Sequence, residues 1–301
     1  MTFCLLLVAP LTAFAQGIHP HAISQKEANF EDMGMELKAV GDALFSFPAP
    51  APIIKPWGIC HDGENLHISD PLQTPPVESI FEVTPAGAYT GNVISISLGQ
   101  NFIGDMASDG THIYACLVGG PNTIAKVHIA SGDLVGTISG DWTITSQRGL
   151  AYDAINEEFY IGGWNSNNIW RVSNTGVTIS EHAFTNVSGL TWHPNGGPLQ
   201  QGSLWVMTNA ASSTITEVDP NNGWAVLQSF PIPGSPNFSG AGMDLDPSGN
   251  LWVVNQADNM VYLVDTEQPL GHAAVPLGQW SLYLVVIMSA GFLFFRFRRA
   301  F

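Results

Sequence analysis

The side chains with the greatest chemical potential in this chain are aspartates that recur at regular spacing. One repeated position is occupied by Asp62, Asp109, Asp153 and Asp246, and Asp105 and Asp244 stand shortly before two of these. Carboxylates on separate strands could bind a divalent cation or act as acid and base in glycoside hydrolysis. Gly, Asn or Pro follows the repeated aspartate in most copies, which is typical of hairpin turns. We therefore interpret the repeated aspartates as turn residues, and Asp105 and Asp244 remain as candidates for a site.

Histidines offer a second route to acid–base chemistry. The candidates by type are His61, His67, His112, His128, His182 and His193. His61, His67 and His193 stand where other copies of the repeat have Tyr or Trp, or where a turn begins. Packing explains such positions better than catalysis, so we predict no catalytic residue among them.

Asp105 and Arg148 form a candidate ligand site. Asp105 occupies a position that is Gly in the other copies of the repeat, and Arg148 immediately precedes that Gly in the next copy. Trp57 holds the same position as Arg148 in the first copy. We predict that the three residues line the mouth of a central channel and bind a ligand; a solvated surface pair of Asp105 and Arg148 is the alternative.

These positions belong to a unit of about 40 to 50 residues, the period of propellers and helical arrays. The unit occurs five times, and its opening strands begin at Gly58, Asp105, Gly149, Gly189 and Gly242. A second strand carries His67, Tyr114, Tyr160, Trp205 or Trp252 at a fixed position, and a third strand and a fourth strand follow. Short β-rich runs separated by turns, without a helical period, predict an all-β fold.

The last unit lacks a fourth strand, and a repeated heptapeptide indicates how this gap is filled. The segment 44–50, Leu-Phe-Ser-Phe-Pro-Ala-Pro, resembles the segment 227–233, Leu-Gln-Ser-Phe-Pro-Ile-Pro, which is predicted as an outer strand. We therefore predict a five-bladed β-propeller over residues 42–265, whose last blade is closed by an N-terminal strand. Residues 16–41 form a polar lead-in and residues 266–274 a linker.

The charge of the chain limits its partners. It has 25 acidic and 9 basic residues, a formal net charge of −16. Phosphate binding is driven by Lys and Arg, so we expect neither nucleic acid nor anionic lipid as a partner. We predict no cofactor.

Residues 1–15 have the pattern of a secretory signal peptide. A short apolar run is followed by Ala13-Phe14-Ala15, although no basic residue precedes it. The pattern predicts export across the inner membrane by the Sec translocon. In an oxidising compartment Cys60 and Cys116 could form a disulfide; two buried thiols are the alternative.

Residues 275–301 have three parts. They begin with a motif that contains Val275, Pro276 and Trp280, continue with an apolar run to Phe295, and end with Arg296, Arg298 and Arg299. The run from Leu277 to Phe295 has 19 residues, enough for one transmembrane helix with the arginines in the cytoplasm.

This layout resembles bacterial C-terminal sorting signals with an Ile-Pro-Thr-Leu-Ser-x-Trp motif, of which Pro and Trp are kept here. The resemblance implies processing by an exosortase-type membrane transpeptidase and delivery to the cell envelope or surface, with release as a further outcome. A permanent membrane anchor is the alternative.

The segment 242–253, Gly-Met-Asp-Leu-Asp-Pro-Ser-Gly-Asn-Leu-Trp-Val, resembles the repeats of NHL, streptogramin-lyase and gluconolactonase-type propellers. In the gluconolactonase type, the resemblance implies oxygen ligands for a metal immediately before the Gly of different blades. The residues at those positions are Trp57, Gly104, Arg148, Ser188 and Ala241, and none is a carboxylate. We therefore predict no metal site and a non-catalytic binding module of the cell envelope for a glycan, peptide or protein; an enzyme of the lyase or lactonase type is the alternative.

Overall fold

The structure is a computed structural model, and it describes residues 39–72, 78–99 and 102–266, all within one compact unit, Ala39–Phe301. The predicted signal peptide, sorting motif, apolar run and terminal arginines lie outside these residues. Within the described ranges, no helix is long and apolar enough to cross a membrane.

The described chain folds as five four-stranded antiparallel sheets. Strand β1 (Ala43–Pro48) comes first along the chain but belongs to the fifth blade. The first blade contains β2 (Ile59–His61), β3 (Leu66–Ser69), β4 (Ser79–Val83) and β5 (Tyr89–Ser95), and the second β6 (Phe102–Ser108), β7 (His112–Val118), β8 (Ile124–His128) and β9 (Leu134–Ile138). A short 3-10 helix (Asp141–Ile144) leads to the third blade: β10 (Gly149–Asp153), β11 (Glu158–Gly163), β12 (Asn168–Ser173) and β13 (Thr178–Ala183). The fourth blade contains β14 (Val187–His193), β15 (Ser203–Thr208), β16 (Thr214–Asp219) and β17 (Ala225–Pro231), and the fifth β18 (Gly240–Leu245), β19 (Leu251–Asn255) and β20 (Met260–Val264).

The predicted five-bladed propeller and its closing strand are confirmed. Strand β1 pairs antiparallel with β20, with Phe47 opposite Val261, and completes the sheet β1-β20-β19-β18. The inner strands β2, β6, β10, β14 and β18 contact one another in chain order, and β18 returns to β2. Some predicted boundaries differ: the opening strands of the second, fourth and fifth blades begin earlier, at Phe102, Val187 and Gly240, because pairing with the second strand starts before an irregularity in its register. The opening strand of the first blade begins at Ile59 rather than Gly58.

The heptapeptide repeat has a packing cause. Phe47 and Phe230 occupy equivalent positions on outer strands, and each packs on a glycine in the outer turn of the next blade. A Cβ on Gly87 would lie 2.6 Å from the Phe47 ring, and a Cβ on Gly41 would lie 2.8 Å from the Phe230 ring. These rings seal the junctions between the fifth and first blades and between the fourth and fifth blades. The repeated sequence therefore reflects a repeated contact between blades.

The third and fourth blades make the same junction with different residues. His182 is the outer-strand residue opposite Ile169, and its ring stacks on Trp224 at 4.1 Å with an interplanar angle of 4°. Trp224 has φ +61°, the backbone conformation that glycine adopts in the equivalent turns. His182 thus has a packing role.

Close approach at the axis explains why a glycine recurs at the start of the repeat in most blades. A Cβ on Gly242 would lie 2.5 Å from Asp105 Oδ1 and 2.6 Å from the Ile59 nitrogen. Only a residue without a side chain allows these backbones to meet. Strand β6, which carries Asp105, contacts the inner strands of all four other blades.

Candidate functional site

A pocket of about 240 Å³ opens at one end of the channel. It is lined by Trp57, Arg148, Trp164, Ser188 and Asn209. Three of these residues stand immediately before the glycines of the inner strands, and the other two follow β11 and β15. The pocket therefore forms where residues that enter the inner strands meet residues that leave the second strands.

The guanidinium group of Arg148 lies over two adjoining aromatic rings. Its guanidinium carbon lies 5.6 Å from the centroid of the Trp57 ring and 5.1 Å from that of the Phe102 ring. The two rings themselves are 5.6 Å apart. The ring faces attract the cation and fix its position. Burial lowers the pKa of Arg148, but an arginine starts so far above neutrality that it remains charged at physiological pH.

Arg148 has no anionic partner among the described residues. The ion pairs of this part of the chain join His67 to Asp62, His112 to Asp109, and Arg171 to Glu158. The Nε of Arg148 is buried without a hydrogen-bond partner in the same residues. A half-buried arginine without an anionic partner can donate hydrogen bonds to an anion that enters the pocket.

Asp105 does not form the expected charge pair with Arg148. Its side chain is fully buried on the axis, where Oδ2 accepts hydrogen bonds from the Leu150 nitrogen at 3.2 Å and the Leu190 nitrogen at 3.1 Å. Burial raises the pKa of Asp105 well above its usual value, which favours the neutral form. Of the three predicted ligand residues, the structure brings Trp57 and Arg148 together and places Asp105 deeper.

A second carboxyl group, that of Asp244, lies on the inner strand of the fifth blade. Its Oδ2 accepts from the His61 nitrogen at 2.8 Å, and its Oδ1 accepts from Thr191 Oγ1 at 2.7 Å. Burial raises its pKa to about 6, against the opposing effect of these hydrogen bonds. His61 binds Asp244 through its backbone nitrogen, and its ring Nδ1 accepts a hydrogen bond from the Gly63 nitrogen at 3.0 Å. Asp244 is therefore bound by groups of the protein itself.

The repeated aspartates form turns, as predicted. Asp62 Oδ1 accepts from the nitrogens of Glu64 and Asn65, and equivalent bonds are made by Asp109, Asp153 and Asp246. The second oxygen of Asp62 lies 2.8 Å from Nε2 of the buried His67. In the next blade Tyr114 donates to Asp109 in the same way at 3.0 Å. His67 therefore takes the structural place of a tyrosine.

Cys60 and Cys116 are free thiols, so the disulfide considered from the sequence is not formed. Each is fully buried, Cys60 against apolar residues of the second blade and Cys116 against those of the third. Burial raises the pKa of both thiols. Among the described residues, no group of three His, Cys, Asp or Glu side chains is arranged to hold a metal ion.

Sequence reasoning missed Trp164 and Asn209 as pocket residues. Trp164 Nε1 donates to the Asn209 carbonyl oxygen at 2.9 Å, and Asn209 Nδ2 donates to the Gly240 carbonyl oxygen at 2.8 Å. These bonds connect the third, fourth and fifth blades. Both residues could have been identified from their position in the repeat, since each directly follows the second strand of its blade.

Comparisons with known proteins do not assign a family. No family model matches the chain, and no curated protein matches it. A chain from the crystal structure of a mitotic checkpoint complex is similar at 11% identity with a TM-score of 0.48, over 77% of this chain and 98% of that chain. A structural genomics protein of unknown function from Bacteroides thetaiotaomicron VPI-5482 is similar at 12% identity with a TM-score of 0.43, over 75% of this chain and 73% of that chain. These are similarities of fold alone.

Proposed function

We propose that this propeller is a non-catalytic binding module of the bacterial cell envelope, and that its ligand binds at the channel mouth. One observation carries the proposal: Arg148 lines a pocket, lies over two aromatic rings and has no anionic partner among the described residues. A concave site with aromatic walls and a few polar groups is the usual form of a ligand pocket.

The arrangement of the carboxyl groups favours binding over catalysis. Acid–base catalysis needs a titratable group within hydrogen-bond reach of the ligand. Asp105 is fully buried, and the oxygens of Asp244 accept bonds from His61 and Thr191. The pocket instead presents two indole rings and a cation, from Trp57, Trp164 and Arg148, which can bind a ligand without a titratable acid or base.

The ligand site can be tested with the full chain in detergent, titrated calorimetrically with a panel of envelope glycans and peptides. Trp164 is 39% exposed at the pocket, and Phe45 on β1 is 43% exposed. Trp164→Ala should weaken binding, and the control Phe45→Ala should not. Equal binding by both variants would place the ligand elsewhere, and release of a product from any ligand would favour the enzyme alternative.

Localisation in the cell envelope is a second part of the proposal, and it is supported by the sequences of the two termini. Export and sorting to the envelope predict that the mature protein in its host lacks residues 281–301. Substitution of Pro276 or Trp280 should leave an uncleaved precursor in the membrane. Intact-mass measurement of protein from the envelope and medium tests this, and recovery of the chain through Phe301 would indicate a permanent anchor.

A further inference from the structure

We propose that the channel mouth recognises a single carboxylate group on a ligand that also has a flat apolar face. This inference rests on the proposed function and names the chemical class of the ligand.

The state of Arg148 favours a carboxylate. A guanidinium group is a planar fork whose donors match the two oxygens of a carboxylate. The rings of Trp57 and Phe102 hold this fork in place before the ligand arrives, since both centroids lie within 6 Å of the guanidinium carbon. A preorganised donor loses little freedom on binding, and its half-buried position strengthens the attraction.

The surrounding charge favours a ligand with one negative charge. The other basic residues of the described chain are engaged elsewhere: Lys55 donates to the Gln256 carbonyl oxygen, Lys126 lies over the Tyr114 ring, and Arg171 pairs with Glu158. The whole chain has a formal net charge of −16. A dianionic phosphate would meet one cation within a strongly negative protein, so a monoanion fits better.

The remaining pocket residues determine what lies beside the carboxylate. The Trp164 indole is partly exposed, and its bond to Asn209 fixes its orientation. With Trp57 it offers flat apolar surface to a ring. Ser188 Oγ donates its proton to the Met207 carbonyl oxygen at 3.2 Å, so it faces a ligand as an acceptor. The pocket therefore fits a carboxylate next to a ring and to a hydroxyl or N–H donor, which sugar acids and C-terminal amino acids both provide.

The test uses the full chain in detergent and small probes, titrated by calorimetry. The two carboxylates are D-glucuronate and N-acetyl-L-phenylalanine, each compared with its neutral amide, and inorganic phosphate is the probe for charge alone. We expect at least one carboxylate to bind about tenfold or more tightly than its amide, as a charged hydrogen bond predicts. The carboxylate that binds more tightly identifies the source as sugar or peptide.

Variants of Arg148 then test whether this residue causes the preference for the carboxylate over its amide. Arg148→Met keeps an aliphatic side chain beside the rings and should abolish the preference for the carboxylate. Arg148→Lys keeps the charge without the fork and should reduce the preference. The control Arg171→Met removes an arginine that lies over the Tyr160 ring, and it should leave binding unchanged.

Three results would overturn the inference: equal binding of acid and amide, phosphate binding as tight as that of either carboxylate, or no saturable binding of either carboxylate. A neutral ligand from the glycan and peptide panel that Trp164→Ala weakens would preserve the proposed function while the inference fails. If Arg148→Met does not fold, Arg148→Lys and the acid–amide comparison decide.

Discussion

Two aspartates that are four residues apart in the chain have different roles in this protein. Asp109 lies in a hairpin turn, where backbone N–H groups and the Tyr114 hydroxyl surround its carboxylate. Asp105, four residues earlier, is buried on the axis and bridges from the second blade to the nitrogens of Leu150 and Leu190. Environment changes the preferred protonation state: the pKa of Asp109 is lowered, because its hydrogen bonds outweigh desolvation, and that of Asp105 is raised by burial.

Asp244 should make stability depend on pH. Its pKa is raised by burial from 3.8 in an unfolded chain to about 6 in the folded protein. Below pH 3.8 the carboxyl group is protonated in both the folded and the unfolded state, so it does not change the free energy of unfolding. Between 3.8 and about 6 the unfolded chain is ionised while the folded protein keeps the proton, and above about 6 the folded protein must hold a buried charge. The free energy of unfolding of the wild type, minus that of Asp244→Asn, should therefore fall over this interval and stay constant above it.

Urea unfolding of both proteins at a series of pH values measures this difference. The Asp244 carboxylate also raises the pKa values of the neighbouring Asp105 and Cys60, and its absence in Asp244→Asn removes that repulsion, which acts in the same direction as the burial of Asp244. Loss of the hydrogen bond from the His61 nitrogen adds a constant offset, and the slope is the readout. A difference that is flat or rises with pH would contradict the expectation.

Gly242 should tolerate no side chain. A Cβ there would meet Asp105 Oδ1 at 2.5 Å and the Ile59 nitrogen at 2.6 Å, so Gly242→Ala forces strands apart at the axis. We expect a loss of about 1–3 kcal/mol in unfolding free energy. The control Gly136→Ala adds a Cβ with no atom within 4 Å and should change stability by less than about 0.5 kcal/mol. Equal effects in denaturant melts would show that the axis can relax.

At the scale of elements, outer strands join neighbouring blades through one side chain each. Phe47 on β1 is 6% exposed, packs on Gly87 and lies 6.0 Å from the Trp252 ring. Phe45, two residues earlier on the same strand, is 43% exposed. Residues two apart share a face of a strand, and the two rings lie 5.9 Å from each other. Phe47 is the one that the neighbouring blade covers, through Gly87.

This difference predicts unequal costs for two similar substitutions. Phe47→Ala should lower the free energy of unfolding by about 3 kcal/mol, because it removes a buried ring and leaves a cavity between the fifth and first blades. Phe45→Ala should cost less than about 1 kcal/mol, since its ring is already partly in water. Urea unfolding of the two variants measures both values. Equal losses would argue against Phe47 as the seal of this junction.

The strands and turns could be predicted from the sequence better than the site, because they depend on local contacts and the site depends on contacts between blades. Hairpin turns, strand periods and the heptapeptide depend on local contacts that each repeat copies, so they could be identified without coordinates. The depth of Asp105 depends on a register shift between Ile103 and Met106 that moves it onto the axis. Trp164 and Asn209 meet across blades, and the curvature of the whole ring determines such contacts.

At the scale of the whole propeller, the described ring closes through hydrogen bonds and apolar packing, without a covalent bond between the first and fifth blades' outer ends. The junction includes the β1–β20 pairing and the bonds of the Gly41 nitrogen to Asp265 O and of the Asp265 nitrogen to Asp42 O. Without β1, β20 would be an unpaired edge, and the fifth blade would lose the buried Phe47. An exposed edge strand promotes association with other chains. The short segment 39–50 should therefore stabilise the propeller more than its length suggests.

Truncation tests this closure. A chain that begins at Ala39 keeps the contacts that β1 makes with the other described residues and should unfold at the same temperature as the full chain. A chain that begins at Ala51 should unfold at a lower temperature and self-associate, because the edge of β20 becomes available. A synthetic peptide of residues 39–50, added to the shorter chain, should pair with that edge and raise the midpoint again. The same peptide with Phe47→Ala should do so less well, because the ring that packs on Gly87 is missing. Equal midpoints for the two truncated chains, measured by differential scanning calorimetry, would show that the ring holds together without its N-terminal strand.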